Sequence, residues 1–186
     1  MGVVMKLLKP IVTALLVTPL GMTTAQGQSD RTAELLQHLR EADPTDAKKI
    51  EREIDLVWRR SGSASMDLLL SRGQDALDAG EVETAIGHFS ALIDHAPEFA
   101  EGWHRRATAF YRQEEYGLAV ADLEHALALN PQHFNAMFGL AVIFETLDRP
   151  DQAHAIYQEV LILYPTHERA QDAVDRLAGK VTGQTL

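Results

Sequence analysis

The amino-acid sequence predicts an all-α protein, a solenoid of three helix-turn-helix units between an N-terminal helical hairpin and a C-terminal capping helix. The first observation is a 34-residue period in which proline, small and bulky residues recur in columns. The second is the helical spacing of apolar residues on both sides of the repeats. The columns include Pro97, Pro131 and Pro165; Ala85, Ala119 and Ala153; Gly73, Ala107 and Ala141; and Leu69, Trp103 and Met137. Such a period indicates one structural unit stacked on copies of itself.

Each unit is expected to consist of two antiparallel helices. The predicted pairs are 66–79 with 82–95, 101–113 with 116–129, and 135–146 with 150–163. The small columns allow the two helix axes of a unit to approach closely, and the bulky columns fill the spaces between these contacts. Each column proline ends the second helix of its unit, because its ring cannot continue the hydrogen-bond ladder. No unit can bury its apolar face alone, so neighbouring units must stack.

The period and its columns resemble the tetratricopeptide repeat (TPR) family. The copy that carries the resemblance best contains Trp103, Ala107, Phe110, Ala119, Leu123, Ala126 and Pro131. It departs from the family at Arg106, where the family prefers leucine. The resemblance implies a right-handed TPR solenoid with repeats at 66–99, 100–133 and 134–165.

The resemblance also implies a binding surface. In TPR arrays the first helix of each unit lines a concave groove, which commonly takes an extended peptide or a partner's helix. The corresponding positions here are Leu70, Gln74, Asp78, Glu101, His104, Thr108, Arg112, Asn135, Phe138, Val142 and Glu145. This groove is polar at first and more apolar toward Phe138 and Val142, which favours a partner with an apolar anchor and a basic group near Glu101 or Glu145. The alternative is that Phe138 belongs to the core and the groove is empty.

Some TPR proteins clamp the C-terminal carboxylates of chaperone tails with a set of lysine, asparagine and arginine side chains. The matching positions in this sequence are Leu70, Gln74, Arg105, Asn135 and Gly139. Most of the cationic donors are therefore missing, and we expect no such carboxylate clamp.

The charge of the chain restricts its partners. It has 17 basic and 27 acidic residues, and residues 66–165 carry 16 of the acids against five arginines and no lysine. Such a surface repels nucleic-acid phosphates and anionic lipid, and it favours a basic or neutral protein or peptide. The alternative is that the acidity only keeps the exterior solvated.

Residues 1–25 are typical of a secretory signal peptide. Lys6 and Lys9 give a positive start, residues 11–20 form an apolar core, and small residues precede a cleavage site near Ala25. An uncleaved membrane anchor is the alternative, but the apolar run is short for a span of about 20 residues. Either Met1 or Met5 begins the chain. We therefore expect a periplasmic or secreted bacterial protein that does not contact the membrane after cleavage.

Residues 26–62 predict a helical hairpin that does not keep the repeat columns. Ser29 is expected to cap its first helix, whose apolar face holds Leu35, Leu36 and Leu39, and Asp43 with Pro44 to start the second. Along the second helix, one stripe carries Ile50, Ile54, Val57 and Trp58. The hairpin either covers the open apolar end of the first unit or presents Ile54 and Trp58 as a docking face to another protein or a second copy.

The chain is expected to end in a capping helix over 166–178, followed by a disordered tail over 179–186. Thr166 is the predicted cap of this helix. The side chains predicted to face inward are Ala170, Val174 and Leu177.

The sequence contains no constellation typical of an enzyme, such as a zinc-binding His-Glu-x-x-His pair or a glycine-rich phosphate loop. Its eight histidines are scattered, and Glu101 with His104 provides two metal ligands, which is too few. We therefore expect no catalysis, no metal and no cofactor. The predicted function is a scaffold of the bacterial cell envelope that binds a partner in the groove. The alternative is a structural protein that dimerises through the hairpin.

Overall fold

The computed structural model describes residues 22–183, and the side chains of residues 30–179. The backbone of that range forms helices and no strand, which confirms the all-α prediction. The helices are α1 Met22–Glu41, α2 Pro44–Trp58, α3 Ala64–Asp78, α4 Val82–His95, α5 Ala100–Arg112, α6 Tyr116–Leu129, α7 Phe134–Thr146, α8 Pro150–Leu163 and α9 Glu168–Gly183. None of these helices combines the length and apolar character that crossing a membrane requires. The predicted signal peptide lies outside the described residues, except for its last four, which begin α1.

The repeat units are α3 with α4, α5 with α6, and α7 with α8. The second helices have the predicted bounds, and the first helices begin one or two residues earlier than predicted. Each column proline lies two residues beyond the second helix of its unit, as expected from the missing amide hydrogen.

The small columns lie where the helices approach most closely. Ala85, Ala119 and Ala153 are fully buried. At Gly73 a Cβ atom would lie 2.4 Å from the ring of Phe89, a distance that real Cβ contacts do not reach. The small residues are therefore a packing requirement.

Arg106, the departure from the family pattern, is held by polar partners from two neighbouring helices. Its guanidinium donates to both carboxylate oxygens of Asp122 at 2.7 and 2.8 Å, and to the Ser90 hydroxyl at 3.1 Å. It also lies 5.1 Å from the centroid of the Trp103 ring. The arginine therefore links α5 to α4 and α6 through a bidentate ion pair where an aliphatic side chain would pack.

The start of α2 is as predicted, whereas the start of α1 is not. The Asp43 carboxylate accepts from the amides of Thr45 and Asp46, and Pro44 occupies the first helical turn. The predicted Ser29 cap is wrong, because α1 already begins at Met22. No proline lies within residues 22–41, and the helix continues through Ser29.

The hairpin packs against the third unit and α9, so the prediction that it covers the first unit is wrong. The Trp58 ring lies 4.3 Å from the ring of His133 and 5.1 Å from that of Phe134. The Lys48 ammonium binds Glu168 at 2.9 Å. Leu35, Leu36, Leu39 and Ile54 belong to the same buried cluster as Phe134, Tyr157, Val160 and Leu177. The turn around Gly62, with φ +83°, separates the hairpin from the repeats.

The predicted docking face of the hairpin is also corrected. Ile54 is fully buried and Trp58 is 8% exposed inside this one chain. The stripe therefore holds the hairpin on its own solenoid and does not present an apolar surface for a second copy.

The outer face of the first unit is polar or half-exposed at positions where the later units have buried apolar or small residues. Ala109 of α5 and Ile143 of α7 occupy equivalent positions that face the preceding unit, and both are buried. The equivalent residue of α3 is Asp75, which is exposed. Two helical turns earlier, Gly102 of α5 packs so closely that its Cβ would contact Leu92 of the preceding unit. The equivalent residue of α3 is Leu68, which is half-exposed. The outer face of α3 is therefore mostly polar, as terminal repeats require.

At the C-terminal end, α9 packs as predicted, with Ala170 and Leu177 fully buried. The predicted Thr166 cap is wrong, because the His167 Nδ1 atom accepts from the Ala170 amide at 3.1 Å. The Thr166 hydroxyl is buried and has no hydrogen-bond partner among the described residues. Residues 179–183 of the predicted tail belong to α9, and residues 184–186 lie outside the described residues.

Candidate partner-binding groove

The structure divides the predicted groove into a covered half and an open half. The covered half lies at the N-terminal ends of α5 and α7, where α2 packs across them. The open half lies between the middle and C-terminal parts of the same two helices, from His104 and Phe138 onward. The predicted groove residues therefore have two different environments.

In the covered half, Glu101 is the centre of a buried hydrogen-bond network. Its side chain is 1% exposed, and its Oε2 atom accepts from the His133 Nε2 atom at 2.9 Å. The His104 Nδ1 atom lies 3.4 Å from the same oxygen, and Arg105 donates to the other oxygen, Oε1. Arg105 also donates to Asp55 of α2 at 3.0 Å. The network therefore joins α5, the turn before α7 and the hairpin.

Glu101, His104 and His133 are all residue types that bind metal ions, and their ligand atoms lie within 4.8 Å of one another. The sequence analysis missed His133, which lies 32 residues from Glu101. The amide of Ala136 donates to the His133 Nδ1 atom at 3.3 Å, so the Nε2 atom carries the ring proton and donates to Glu101. A metal ion bound to the Nε2 atom would displace this proton to the Nδ1 atom. The Nδ1 atom could then no longer accept from the Ala136 amide. The three side chains are thus bound to one another.

The network determines the ionisation of its members. Burial opposes the ionisation of Glu101, but hydrogen bonds from His104 and His133 and the charge of Arg105 outweigh it, so the pKa of Glu101 lies well below its ordinary value. Burial lowers the pKa of His104, although Glu101 opposes this shift. In the folded chain at neutral pH, these shifts favour an ionised Glu101 beside a neutral His104.

Five of the predicted groove positions are in this covered half or in the core, and one of them, His104, also borders the cavity of the open half. Glu101 and His104 are buried in the network, and Leu70 is 3% exposed in the core of the first unit. Gln74 accepts from Arg105 at 3.3 Å, and Asn135 borders a depression of about 360 Å³ against α2. Glu101 is therefore not available to a basic group of a partner, which corrects that prediction.

The open half contains an apolar cavity of about 140 Å³ between α5 and α7. It includes the predicted Thr108, Phe138 and Val142 among its walls. The lining residues are His104, Ala107, Thr108, Tyr111, Leu123, Phe138, Gly139, Val142 and Ile143. Sequence reasoning missed Tyr111, which is 37% exposed and lies one helical turn beyond Thr108. The signal was available, because residues three apart share a helix face.

Phe138 belongs both to the groove and to the packing beneath it. Its ring lies 5.4 Å from the Tyr157 ring and 4.9 Å from the His167 ring, and the Arg169 guanidinium lies 4.6 Å from its centroid. It is half-buried and still forms part of the cavity wall. The ring therefore contributes both to the packing with Tyr157 and His167 and to the cavity wall.

The charged positions at the edge of the open half interact mainly with their own chain. Asp78 accepts from Gln74 at 2.8 Å, and Arg112 donates to the carbonyl of Leu77. Glu145 forms an ion pair with Arg176 of α9 and accepts from the Tyr157 hydroxyl at 3.3 Å. The predicted basic contact at Glu145 is therefore already provided by Arg176.

A larger depression of about 570 Å³ lies between the 61–63 linker and the turn after α4. It is wide, and none of the predicted groove residues lines it. Ser61, Ser63, Met66, His95, Ala96, Glu98 and Phe99 form its walls. The cavity between α5 and α7 is the better candidate site, because it is narrower and lies on the concave face of the solenoid.

Stacked helix pairs with a concave face define a class of protein, the helical repeat solenoid. Comparison with known proteins gives the family. The family model described as "Tetratricopeptide repeat" matches residues 70–122 and 104–168. A TPR repeat-containing protein of Rhizobium etli is 34% identical over 144 residues, which cover 77% of this chain and 71% of that protein. This chain therefore belongs to the tetratricopeptide repeat family.

Other relatives match over shorter parts. Human tetratricopeptide repeat protein 36 is 34% identical over 85 residues, which cover 46% of this chain and 45% of that protein. The first TPR of Spaghetti (RPAP3), bound to the HSP90 peptide SRMEEVD, matches with a TM-score of 0.61 and 22% identity, over 63% of this chain and 93% of that one. The crystal structure of MamA matches with a TM-score of 0.59 and 22% identity, over 72% and 83% of the two chains. These structures share the fold of this chain.

Proposed function

We propose that this protein is a non-catalytic adaptor that binds a peptide or helix of a partner protein in the open half of its concave groove. The observation that supports this most strongly is the apolar cavity between α5 and α7, which stays open although α2 covers the neighbouring part of the face. TPR proteins are typically interaction modules, and the Spaghetti domain binds an HSP90 peptide.

The partner is basic or neutral and has an apolar anchor. Two of the repeat arginines are paired with carboxylates of this chain, Arg105 with Glu101 and Arg106 with Asp122. Arg112 binds a neutral backbone carbonyl and keeps its charge. Exposed acids meanwhile follow α5 and α7, at Glu114, Glu115 and Asp148. This balance disfavours acidic peptides, nucleic acid and anionic lipid.

The protein acts in the bacterial cell envelope, as a periplasmic or secreted protein. This part of the proposal depends on residues 1–25, which have the charge and apolar pattern of a signal peptide. Mass spectrometry of the protein from the producing cell tests it. A new N-terminus near residue 26 in the periplasmic or extracellular fraction is expected, and an intact N-terminus in the cytoplasmic fraction would contradict it.

A crosslinking pull-down from the producing cell tests groove binding. The variant combines Arg112→Glu with Phe138→Glu, which places two negative charges on the open half. The matched control is Gly87→Ala, an exposed position on α4 where a Cβ meets nothing within 4 Å. We expect one partner to be captured by the native chain and the control and lost with the double variant. Capture of the same partner by all three would exclude the groove.

A further inference from the structure

Gly139 lies in the wall of the α5–α7 cavity, and packing within the chain does not require it to be glycine. A Cβ atom there would meet only the two methyl carbons of Leu123 at 3.7 Å, an ordinary van der Waals distance. At Gly73, in contrast, a Cβ atom would collide with the Phe89 ring at 2.4 Å. Glycine inside a helix lowers stability relative to alanine. Gly139 therefore has a cost in stability and no steric reason within the chain, as is also true of Gly87 and Gly117. Of these three glycines, only Gly139 lines the cavity.

The absence of a side chain at Gly139 leaves space in the cavity between α5 and α7. Gly139 is the sixth residue of α7, and Phe138 and Val142 lie beside it in the cavity wall. A Cβ atom at Gly139 would lie beside the methyl carbons of Leu123, which also line the cavity of about 140 Å³, so a longer side chain there would reduce this space. A cavity of about 150 Å³ holds one benzene molecule, so this one is matched to a single leucine-sized or methionine-sized side chain.

The lining is mostly apolar, and two of its polar atoms already interact within the chain. The Thr108 hydroxyl donates to the backbone carbonyl of His104 at 3.1 Å, and the His104 Nδ1 atom faces Glu101. The other walls are formed by carbon atoms of Ala107, Val142 and Ile143, among others. An aliphatic group is thus the occupant that this lining fits best.

The charges around the groove determine what flanks that aliphatic group. Asp78, Glu114, Glu115 and Asp148 are exposed at or just beyond the ends of α3, α5 and α7, which form the concave face. Arg112 and Arg149 are exposed at the same ends and offset part of this charge, but the four acids outnumber these two arginines. An incoming peptide therefore meets a negative field, which raises the association rate of lysine-rich and arginine-rich segments.

We infer that the cavity at Gly139 takes one leucine-sized or methionine-sized side chain from a basic segment of the partner, and that glycine is present to admit it. This inference depends on the proposed groove function and makes it specific. It gives Gly139 a binding role in which a larger side chain stabilises the helix and blocks the ligand.

Fluorescence anisotropy with defined peptides tests this inference on the whole mature chain. The probe is a short labelled peptide with one leucine between lysine and arginine pairs, compared with the same peptide carrying alanine and with an acidic version carrying leucine. We expect the alanine peptide to bind about tenfold more weakly or worse, because several buried methylene equivalents are lost. The acidic peptide is expected to bind more weakly still.

The variants are Gly139→Ala, Gly139→Leu and the control Gly87→Ala. Gly87 is also the sixth residue of its helix, but it is exposed on α4. Gly139→Ala and Gly87→Ala should both raise the thermal midpoint, because alanine favours the helix. Only the Gly139 variants should lose affinity, severalfold with alanine and completely with leucine. Equal affinity of Gly139→Leu and the native chain for the leucine peptide would overturn the inference.

Failure of the inference is distinguishable from failure of groove binding. If the Arg112→Glu, Phe138→Glu variant loses the cellular partner while Gly139→Leu keeps it, the groove is the site and the cavity is not its anchor. If both variants keep the partner, the groove proposal itself is wrong, and the cavity inference is wrong with it.

Discussion

At the scale of single residues, the Glu101 carboxylate holds together the parts of the molecule that are distant in sequence. It accepts from His133 and Arg105, and Arg105 in turn binds Asp55 of the hairpin. A buried charge is tolerated only when such partners satisfy it. The carboxylate is therefore a structural group of the solenoid and not a contact for a partner.

Replacement of this carboxylate by an amide is expected to be costly. Glu101→Gln keeps the size of the side chain but leaves the buried Arg105 with one anionic partner fewer. The free energy of unfolding should fall by about 3–5 kcal/mol, as when one partner of a buried ion pair is removed. Urea denaturation measures it, with the exposed Glu98→Gln as a control that should be nearly neutral. A loss as small as that of the control would contradict the network.

The network also predicts how stability depends on pH. The pKa of folded His104 is lowered from 6.5, and that of Glu101 is well below 4.5. Both groups bind a proton more readily in the unfolded chain, so their stabilisation is fully present above about pH 7. It should decrease as pH falls below 6.5 and decrease further below 4.5. Urea midpoints from pH 7.5 to about pH 4 test this.

The pH prediction has a specific control. His104→Gln removes the histidine, so the variant should lose stability less steeply than the native chain between about pH 7 and pH 5. If the two slopes are the same, His104 does not contribute to the pH dependence, and the remaining slope belongs to other groups such as His167, whose pKa burial also lowers.

Residue periodicity predicted packing better than it predicted polar partners. The column residues Ala85, Ala119 and Ala153 are buried as expected, because a small residue at a close helix crossing is required in every copy. The role of His133 could not be predicted in the same way. Its hydrogen bond to Glu101 depends on how two units stack, and 32 residues separate the pair.

At the scale of helices, the hairpin is the element whose identity was predictable and whose place was not. Its stripe of Ile54 and Trp58 correctly indicated a buried face. A hydrophobic stripe does not say which surface covers it, and the covering surface here is the third unit and α9. The second helices of the repeats, in contrast, had correct bounds, since a proline follows each of them in the sequence.

Trp58→Ala should detach the hairpin. The substitution removes the ring contacts with His133 and Phe134, at a cost of about 3–5 kcal/mol. Hydrogen exchange is expected to speed up across α2 while the repeat helices stay protected. Leu56→Ala on the same helix is the control, because Leu56 is 59% exposed and should leave exchange unchanged. Equal protection of α2 in the Trp58 variant would show that other contacts hold the hairpin.

At the scale of the whole molecule, the described part of the chain combines a solenoid that is closed at both ends with an open cavity on its concave face. The polar outer face of α3 ends the stack at one side, and α9 covers it at the other. The hairpin covers part of the concave face, which leaves the cavity between α5 and α7 open. The general location of the groove followed from the family resemblance, but its division followed only from the three-dimensional position of α2.

Site-specific photo-crosslinking in the producing cell tests groove binding most directly. A photoreactive residue replaces Tyr111, which lines the cavity and is 37% exposed, or Leu118 on α6, which is 50% exposed and does not line it. We expect a defined adduct with one partner protein from position 111 and none from position 118. An adduct from position 118 alone would place the partner on the second helices and contradict groove binding.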